Sequence, residues 1–171
     1  MDTIVAVSTP PGRSAIAVVR LSGPRALAIL RTLVREDQFA PDPNRVTLKK
    51  LLGESRDELI DEALVTYFHS PHSFTGEDMV EISCHGSPVI LRQLLDFIQS
   101  QDARLAEPGE FTLRACRNGK MNLSQAEAIR DLINAQTRAA ALQAKRQLNG
   151  ELSEALQASK QELIRVIVIL E

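Results

Sequence analysis

Residues 79–100 read MVEISCHGSPVILRQLLDFIQS and contain the clearest strand and the clearest amphipathic helix of the chain. Apolar and polar residues alternate over residues 79–84, which predicts a strand, because successive side chains of a strand point to opposite faces. Its apolar face carries Val80, Ile82 and Cys84. Apolar residues then recur at helical spacing, which predicts an amphipathic helix over residues 88–100. These residues are Ile90, Leu91, Leu94, Leu95 and Ile98.

The sequence on both sides repeats this mixture of strands and helices. Runs of β-branched and other apolar residues predict further strands, and the last of them is a short edge strand. These strands cover residues 3–8, 15–21, 46–52, 59–68 and 104–106. A helix is predicted over residues 24–34, and proline-containing loops over residues 39–45 and 70–78. We therefore expect residues 1–120 to form an α+β domain in which helices pack on a mixed β-sheet.

The composition changes after Lys120. Residues 122–171 contain no proline and a single glycine, and strong helix formers dominate, so residues 121–171 are predicted to be all α. Ser124 and Glu127 have the spacing of a capping box, and Gly150 with Ser153 predicts a break between two helices.

Residues 163–170, LIRVIVIL, are almost entirely apolar. A run this apolar requires a partner surface. We expect the chain to be a piece of a longer protein, whose final helix packs on missing sequence or on another copy.

The overall composition excludes several classes of protein. Apolar residues make up 44% of the chain, enough for a core, and the formal net charge is −2. Neither residues 1–120 nor residues 121–171 carry a net positive charge, so a broad nucleic-acid groove is not supported. Cys84 and Cys116, in a chain with no signal peptide and no membrane-spanning run, are expected to be free thiols of a cytoplasmic protein.

The motifs of several enzyme classes are missing from the sequence. Gly119-Lys120 is followed by Met121, and Arg114 stands where a phosphate-binding loop needs its first glycine, so this chain is not expected to bind GTP. His69 and His72 have a spacing seen in metal sites, but no third metal-binding residue follows at a matching interval. This favours two histidines that are exposed to solvent in a loop. We predict no metal site and no catalytic residue.

Four residues on or beside the strands could face a ligand. Glu81 and Ser83 share the polar face of residues 79–84, which is either a solvated face or a carboxylate facing a pocket. Arg20 ends an apolar run, where it either extends to the sheet edge or pairs with an anion. His85 lies between the strand and the next helix, a common ligand-binding edge, and a site role and a structural role are equally supported.

Residues 107–120, EPGEFTLRACRNGK, form the densest polar segment. They predict a Pro-Gly turn, about two turns of helix and an exit through Asn118-Gly119, a pair that favours left-handed backbone conformations. This bend projects Lys120. The alternative is an ordinary helix end with a basic last turn.

Three stretches together resemble one family. They are DTIVAVSTPPGRSAIAVVRLSGP (residues 2–24), HSFTGEDMVEISCHGSPVIL (residues 72–91) and EPGEFTLRACRNGKMNLSQAEAIRDLINAQT (residues 107–137). In this order they resemble the tRNA-modification GTPases called MnmE or TrmE. The resemblance implies a folate-binding and dimerisation domain over residues 1–120, related in fold to the folate domain of the glycine-cleavage T-protein. It also implies the beginning of a helical domain over residues 121–171, into which the missing GTPase domain is inserted.

The resemblance also implies a ligand and its contacts. The ligand is 5-formyltetrahydrofolate or a related one-carbon tetrahydrofolate, and the family's contact positions fall on Arg20, Glu81 and Lys120. Further neighbours of the site are Ser83, His85, Arg114 and Asn118. GTP, magnesium and potassium belong to the missing GTPase domain. Ser14 and Ala15 replace two glycines that the family usually shows.

The partners that the resemblance implies are a second copy, joined through the N-terminal domain, the flavoprotein MnmG (GidA) and tRNA. Together they modify C5 of the wobble uridine, and direct tRNA contact by this chain is expected to be small. Two alternatives stay open. One is a dimerisation scaffold that does not bind a ligand by itself, and the other is a direct RNA-binding module, which the neutral charge and the 4% of aromatic residues disfavour.

Overall fold

A computed structural model of the chain describes residues 2–55, 58–151, 160–162 and 164–168. The strands, numbered in chain order, are β1 (Thr3–Val7), β2 (Ser14–Ser22), β3 (Val46–Leu52), β4 (Leu59–Phe68), β5 (Met79–Gly86) and β6 (Ala103–Leu105). The helices are α1 (Ala26–Val34), α2 (Pro88–Ser100), α3 (Glu110–Arg117), α4 (Leu123–Asn134) and α5 (Arg138–Leu148). None of the described helices is both long and apolar enough to cross a bilayer.

The strands form one sheet in the order β3-β4-β5-β2-β1-β6. Neighbouring strands are antiparallel except β1 and β6, which are parallel, so the sheet is mixed. A parallel pair needs a long crossover, and the chain between β1 and β6 contains the other four strands and both α1 and α2. The predicted α+β class and the edge position of the last strand are confirmed.

One face of the sheet carries the hydrophobic core. The cross-strand register places Val19 beside Ile82 and Ile82 beside Val65, and all three are buried. Helices α1 and α2 cover this face with buried apolar side chains. These are Ile29, Leu30 and Leu33 of α1 and Leu94, Phe97 and Ile98 of α2. The apolar face predicted for residues 79–84 is therefore the core face.

The opposite face is called the outer face below. It carries the side chains of the residues that alternate with the core residues along each strand. Here Arg20 of β2 lies beside Glu81 of β5, which lies beside Thr66 of β4. Towards the β3 edge the outer face carries exposed apolar side chains. These are Val46, Leu48 and Leu64.

The observed bounds agree with the predicted ones within two residues, and those of β3, β4 and α2 are the same. The helix predicted from residue 24 begins at Ala26 instead. Gly23 has φ 132°, and its N–H donates to the Asp78 carbonyl at 3.0 Å. A side chain at Gly23 would lie 2.7 Å from the Thr3 Cα, so only glycine fits this turn between β2 and α1.

The chain divides into two compact units, residues 1–115 and 116–171. In the second unit the predicted capping box was wrong by two residues. Asn122 is the N-cap of α4, since its Oδ1 accepts from the Gln125 N–H at 2.9 Å and the Asn122 N–H donates back to Gln125 Oε1 at 3.0 Å. Asparagine caps helices as well as serine does, and here its partner amide stands three residues later.

The second unit also contains a helix break that the sequence analysis did not predict. The helix breaks between Asn134 and Arg138, where the Thr137 side chain accepts from the Ala140 N–H at 3.1 Å and starts α5. A turn at Gly150 is present, with φ 90°. Ser153 lies outside the described residues.

The apolar run predicted to need a partner surface is described only in part. Residues 164–168 are helical, and their large apolar side chains are exposed. These are Ile164, Val166, Ile167 and Val168. Positions 163, 169 and 170 of the run lie outside the described residues.

Candidate ligand-binding site

Arg20 and Glu81 form an ion pair at the centre of the outer face. The Arg20 Nε donates to Glu81 Oε1 at 2.9 Å, and Nη2 donates to the same oxygen at 2.5 Å. Each side chain is 26% exposed, so the pair is neither a solvated surface contact nor fully buried. Arg20 does not extend to the sheet edge, because β2 lies between β5 and β1.

Two phenylalanine rings lie beside the guanidinium of Arg20. Its Cζ is 5.5 Å from the ring centroid of Phe74 and 5.8 Å from that of Phe111. Cations are attracted to the faces of aromatic rings at this distance. Phe74 comes from the loop before β5, and Phe111 comes from the first turn of α3. The ion pair thus combines charge with flat apolar surface, which suits a planar, polar-edged ligand.

The loop over residues 70–78 is ordered by its own polar side chains. Thr75 is fully buried, and its hydroxyl shares a hydrogen bond of 2.7 Å with the Ser22 hydroxyl of β2. The Ser22 Oγ also bonds to Glu77 Oε2 at 2.7 Å. The Ser73 Oγ donates to the Glu77 carbonyl at 2.6 Å. These bonds attach the loop that carries Phe74 to the strand that carries Arg20.

Arg114 does not face a ligand in this structure. It is buried and bonds to Glu110 and Asp2, with its Nη2 lying 2.9 Å from Glu110 Oε1 and 2.7 Å from Asp2 Oδ1. Its Nη1 lies 3.2 Å from Glu77 Oε2. A role for Arg114 beside the site is therefore an indirect one, through the segments that it joins.

Glu110 is the most strongly perturbed carboxylate among the described residues. The Arg104 guanidinium, which donates to both Glu110 oxygens at 2.6 and 2.8 Å, lowers the pKa of this carboxyl from 4.5 to about 2. The Glu107 N–H and Arg114 act in the same direction, against the effect of burial. Glu110 is therefore ionised at every physiological pH, and its contacts are charged hydrogen bonds.

His85 and Asp61 form a second pair on β5 and β4. Asp61 is buried, and its Oδ2 accepts from the His85 N–H at 2.8 Å while its Oδ1 lies 2.8 Å from His85 Nδ1. Burial works against the charged form, but the His85 N–H and ring together lower the pKa of Asp61. The His85 ring is itself 70% exposed. Asp61 thus fixes the ring nitrogen nearer to it, and the other nitrogen faces outward.

A small cavity of about 170 Å³ lies beside His85. It is lined by Ala15, Ile16, Leu48, Glu62, Leu64, Ser83, Cys84 and His85. Ser83 and His85, two of the predicted site neighbours, therefore share one cavity on the outer face.

Lys120 and Asn118 belong to the second unit. Gly119 has φ 69°, and its N–H donates to the Cys116 carbonyl at 3.1 Å, so the predicted left-handed bend at Asn118-Gly119 is present. Lys120 follows this bend and is exposed. The predicted contacts of Lys120 and Asn118 with a ligand stay predictions.

The remaining histidines are not arranged as a metal site. His69 Nδ1 lies 2.9 Å from the Tyr67 hydroxyl and 3.1 Å from Asp78 Oδ1. No group of three metal-binding side chains occurs within the described ranges. The two cysteines are free thiols, as expected. Burial raises the pKa of Cys84 to about 11, which makes this thiol unreactive.

A further cavity, of about 870 Å³, lies away from these residues, on the side of the sheet that α1 and α2 cover. Its principal cation is Arg35, whose Nη2 already donates to the carbonyls of Gly53, Glu54 and Ser55 at 2.6 to 3.0 Å. Asp37 and Glu54 make its lining acidic. The outer face, with its ion pair and rings, is the better candidate for a site.

The sequence did not identify Phe74, Phe111, Glu77 and Asp61 as parts of the site. Phe74 and Phe111 are single aromatic residues inside polar segments, SPHSFTGED and EPGEFTL, in a chain that is only 4% aromatic. That isolation is the signal that could have identified them. The carboxylates Glu77 and Asp61 carry no such signal, because their partners are distant in the sequence.

Comparison with known families agrees with the architecture. The family model described as GTP-binding protein TrmE N-terminus matches residues 3–120, and the MnmE helical domain model matches residues 123–171. The chain is 46% identical to the tRNA modification GTPase MnmE of Koribacter versatilis over 99% of its own length, which is 38% of the relative. It is 45% identical to that of Thermotoga petrophila (98% and 36%) and 46% identical to that of Legionella pneumophila (100% and 38%).

The chain thus spans less than two fifths of the length of these curated relatives. Both family models match it in chain order, and together they cover nearly all of it. The chain belongs to the TrmE/MnmE family and corresponds to its N-terminal part.

Proposed function

We propose that this chain binds a one-carbon tetrahydrofolate, such as 5-formyltetrahydrofolate, on the outer face of its sheet. The observation that carries the proposal is the half-buried Arg20–Glu81 pair, which lies beside the rings of Phe74 and Phe111. A pterin ring is flat and has an aminopyrimidine edge with adjacent N–H donors. It therefore matches a carboxylate acceptor held beside aromatic rings.

The ion pair leaves capacity for such a ligand. Both bonds from Arg20 end on Glu81 Oε1, so Oε2 is not used by this pair. A guanidinium has five N–H donors, and those that do not bond to Glu81 can reach a formyl oxygen, a ring carbonyl or a carboxylate of the glutamate tail. Lys120 supplies a further donor in this proposal, and Ser83, His85 and Asn118 are neighbours of the ligand.

Calorimetric titration of the purified chain with 5-formyltetrahydrofolate tests the proposal. Glu81→Gln keeps the shape of the side chain but removes its charge, and we expect it to weaken binding by at least tenfold, about 1.4 kcal/mol. Asp96→Asn is the matched control, since Asp96 is an exposed carboxylate on α2, the helix that covers the opposite face of the sheet. Absence of heat at millimolar ligand from a correctly folded wild-type chain would contradict the proposal.

In the full-length protein, we propose, this module supplies the one-carbon group for modification of C5 of the wobble uridine in tRNA. The relatives are named tRNA modification GTPases. GTP, magnesium and potassium would act in the GTPase portion that the relatives possess beyond this chain. The further proposed partners are the flavoprotein MnmG and tRNA, and the proposed compartment is the cytoplasm.

A second candidate function is a dimerisation scaffold, and an exposed apolar patch favours it. Val46, Leu48 and Leu64 lie together on the outer face, at the β3 edge of the sheet. A contiguous apolar surface of this kind is typical of protein contacts. The occupant proposed here is a second copy, which is compatible with folate binding nearby.

Light scattering of the ligand-free chain tests this second function. We expect a dimer for the wild type and a monomer for Leu48→Lys, because a buried, unpaired ammonium group opposes association. Leu105→Lys is the control, since Leu105 is also about half exposed but lies on β6, at the other edge of the sheet. A wild-type monomer would rule out the scaffold role for this chain.

A further inference from the structure

Arg114 joins three segments that are far apart in the sequence. Its side chain is only 5% exposed. Its Nη2 bonds to Asp2 Oδ1 at the amino terminus and to Glu110 Oε1 in α3, and its Nη1 bonds to the Asp2 carbonyl at 2.7 Å and to Glu77 Oε2 in the loop before β5. A guanidinium is rigid and planar, so groups bonded to it are held at fixed positions relative to one another.

The two glutamates belong to the segments that carry the aromatic rings. Glu77 follows Phe74 by three residues, and Glu110 directly precedes Phe111. Both carboxylates are nearly buried, with 12% and 10% of their side chains exposed. Glu77 is also bonded to Ser22, two residues beyond Arg20 on β2.

We propose that Arg114 is a positioning residue for the Arg20–Glu81 site. By bonding to Glu77 and Glu110 together, it keeps the rings of Phe74 and Phe111 beside the Arg20 guanidinium. Without Arg114, the partly buried carboxylates of Glu77 and Glu110 would lose a positive charge that offsets their negative charges. Their mutual repulsion and their need for hydration would then separate the loop from α3. The rings would then move away from Arg20, although Arg114 itself does not contact Arg20.

Arg104 provides a matched control, because it bonds to the same Glu110. It donates to both Glu110 oxygens and to Asp2 Oδ2. Arg104 is 45% exposed and has no bond to Glu77 among the described contacts. Removing it leaves the link between Glu77 and Glu110 intact. A comparison of Arg114 and Arg104 variants therefore distinguishes the effect of joining the two segments from the effect of neutralising Glu110.

The first test reads the surroundings of Arg20 without any ligand. The Nε–H resonance of Arg20, measured by NMR on ¹⁵N-labelled chain, reports the nearby rings through their ring currents. We expect Arg114→Gln to move this resonance towards the position it takes in Phe111→Leu, and Arg104→Gln to leave it near the wild-type position. An unmoved resonance in a folded Arg114→Gln chain overturns the proposal.

The second test measures affinity for 5-formyltetrahydrofolate and rests on the proposed function. Arg114→Gln and Phe111→Leu are each expected to weaken binding by roughly tenfold, and the double variant by no more than either, because residues that act through one contact are not additive. Additive losses would show that Arg114 does not act through the ring. If the wild type binds no folate, the proposed function fails, and the resonance of Arg20 still decides the positioning role.

A variant that does not fold would leave these tests without a sample, and circular dichroism identifies that case. Glu77→Gln then replaces Arg114→Gln, since it weakens the contact of Arg114 with the Phe74 loop while the remaining amide oxygen can still accept from the Ser22 hydroxyl. The expected result is the same displacement of the Arg20 resonance, by a smaller amount. A folded Glu77→Gln chain with an unchanged resonance overturns the proposal equally.

Discussion

The two faces of the sheet share one register but are covered by different kinds of contact. On the core face, Val19, Ile82 and Val65 form a cross-strand row that α1 and α2 bury. On the outer face the adjacent row contains Arg20 and Glu81, and the segments beside it are joined by charged hydrogen bonds. Apolar burial has no preferred direction, whereas charged bonds fix the positions of individual atoms.

This difference separates what folds the domain from what shapes its site. The core face supplies the apolar burial that stabilises the domain. The outer face orients a few side chains at some cost in desolvation. Substitutions on the two faces should therefore differ in the property that they change: stability on one face, and ligand binding and pH dependence on the other.

The largest expected effect lies on the core face. Ile82→Ala should lower the free energy of unfolding by about 2–5 kcal/mol, because Ile82 is almost completely buried and its removal leaves a cavity. Leu64→Ala, on the outer face of the neighbouring strand, should cost less than about 1 kcal/mol because Leu64 is exposed. Urea denaturation of both variants measures this. Similar losses at the two positions would show that the outer face is covered by a partner.

The next largest effect is a pH dependence that only the charged contacts produce. The pKa of Glu110 is about 2 in the folded chain and near 4.5 when unfolded, so the stabilisation is fully present above pH 4.5 and is lost as the pH falls towards 2. The loss is on the order of 3 kcal/mol, from about 1.36 kcal/mol for each pKa unit.

Thermal or urea unfolding between pH 6 and pH 2 measures this loss. Glu110→Gln should be less stable at neutral pH and should lose less stability on acidification. Ile82→Ala should keep the wild-type slope of unfolding free energy against pH, because apolar packing does not titrate. A Glu110→Gln chain with the wild-type slope would show that other carboxylates determine the acid response.

Thiol reactivity compares a cysteine on the buried core face, Cys84, with one that is only partly buried, Cys116. Cys84 is buried, and its pKa of about 11 lies two units above its ordinary value, which lowers its thiolate fraction near pH 8 about a hundredfold. Cys116 is only partly buried. Alkylation followed by mass spectrometry should therefore label Cys116 first, and Cys84 only when urea is added. Equal labelling in native buffer would mean that the core face opens readily.

The smallest expected effect is the contribution of the Arg20–Glu81 pair to stability. A double-mutant cycle with Arg20→Met and Glu81→Gln should give a coupling of about 0.5–1 kcal/mol, since each side chain is partly exposed to water. Chemical denaturation of the four chains measures the coupling. A coupling above about 3 kcal/mol would show that the pair contributes to the free energy of unfolding as strongly as a core residue does.

The core face could be predicted from the sequence because its signals are local. The runs of β-branched and other apolar residues over 46–52 and 59–68, and the helical spacing after Pro88, predicted the observed bounds of β3, β4 and α2. The helix ends were less predictable where two residues compete for one role. Asn122 and Ser124 are both good N-caps, and each has a Gln or Glu three residues later, so the local sequence does not choose between them.

The sequence identified individual residues of the site but not the contacts between them. Arg20 and Glu81 were identified as candidates, but their pairing depends on the register between β2 and β5, across 61 positions of the chain. The link between Glu77, Arg114 and Asp2 depends on packing of three segments that no local pattern connects. Phe74 approaches Arg20 from a loop and Phe111 from the first turn of α3, so their shared position beside Arg20 appears only in three dimensions.

The parallel pairing of β1 with β6 has a consequence for synthesis on the ribosome. Thr3 pairs with Ala103, and Asp2 bonds to Arg114 across 112 positions, so β1 must wait for nearly the last part of its domain. Long-range contacts of this kind form late and slow folding. Until β6 emerges, one edge of β1 is open to pairing with other chains. Closure by β6 and Arg114 therefore ends the period in which the nascent domain is most exposed to aggregation.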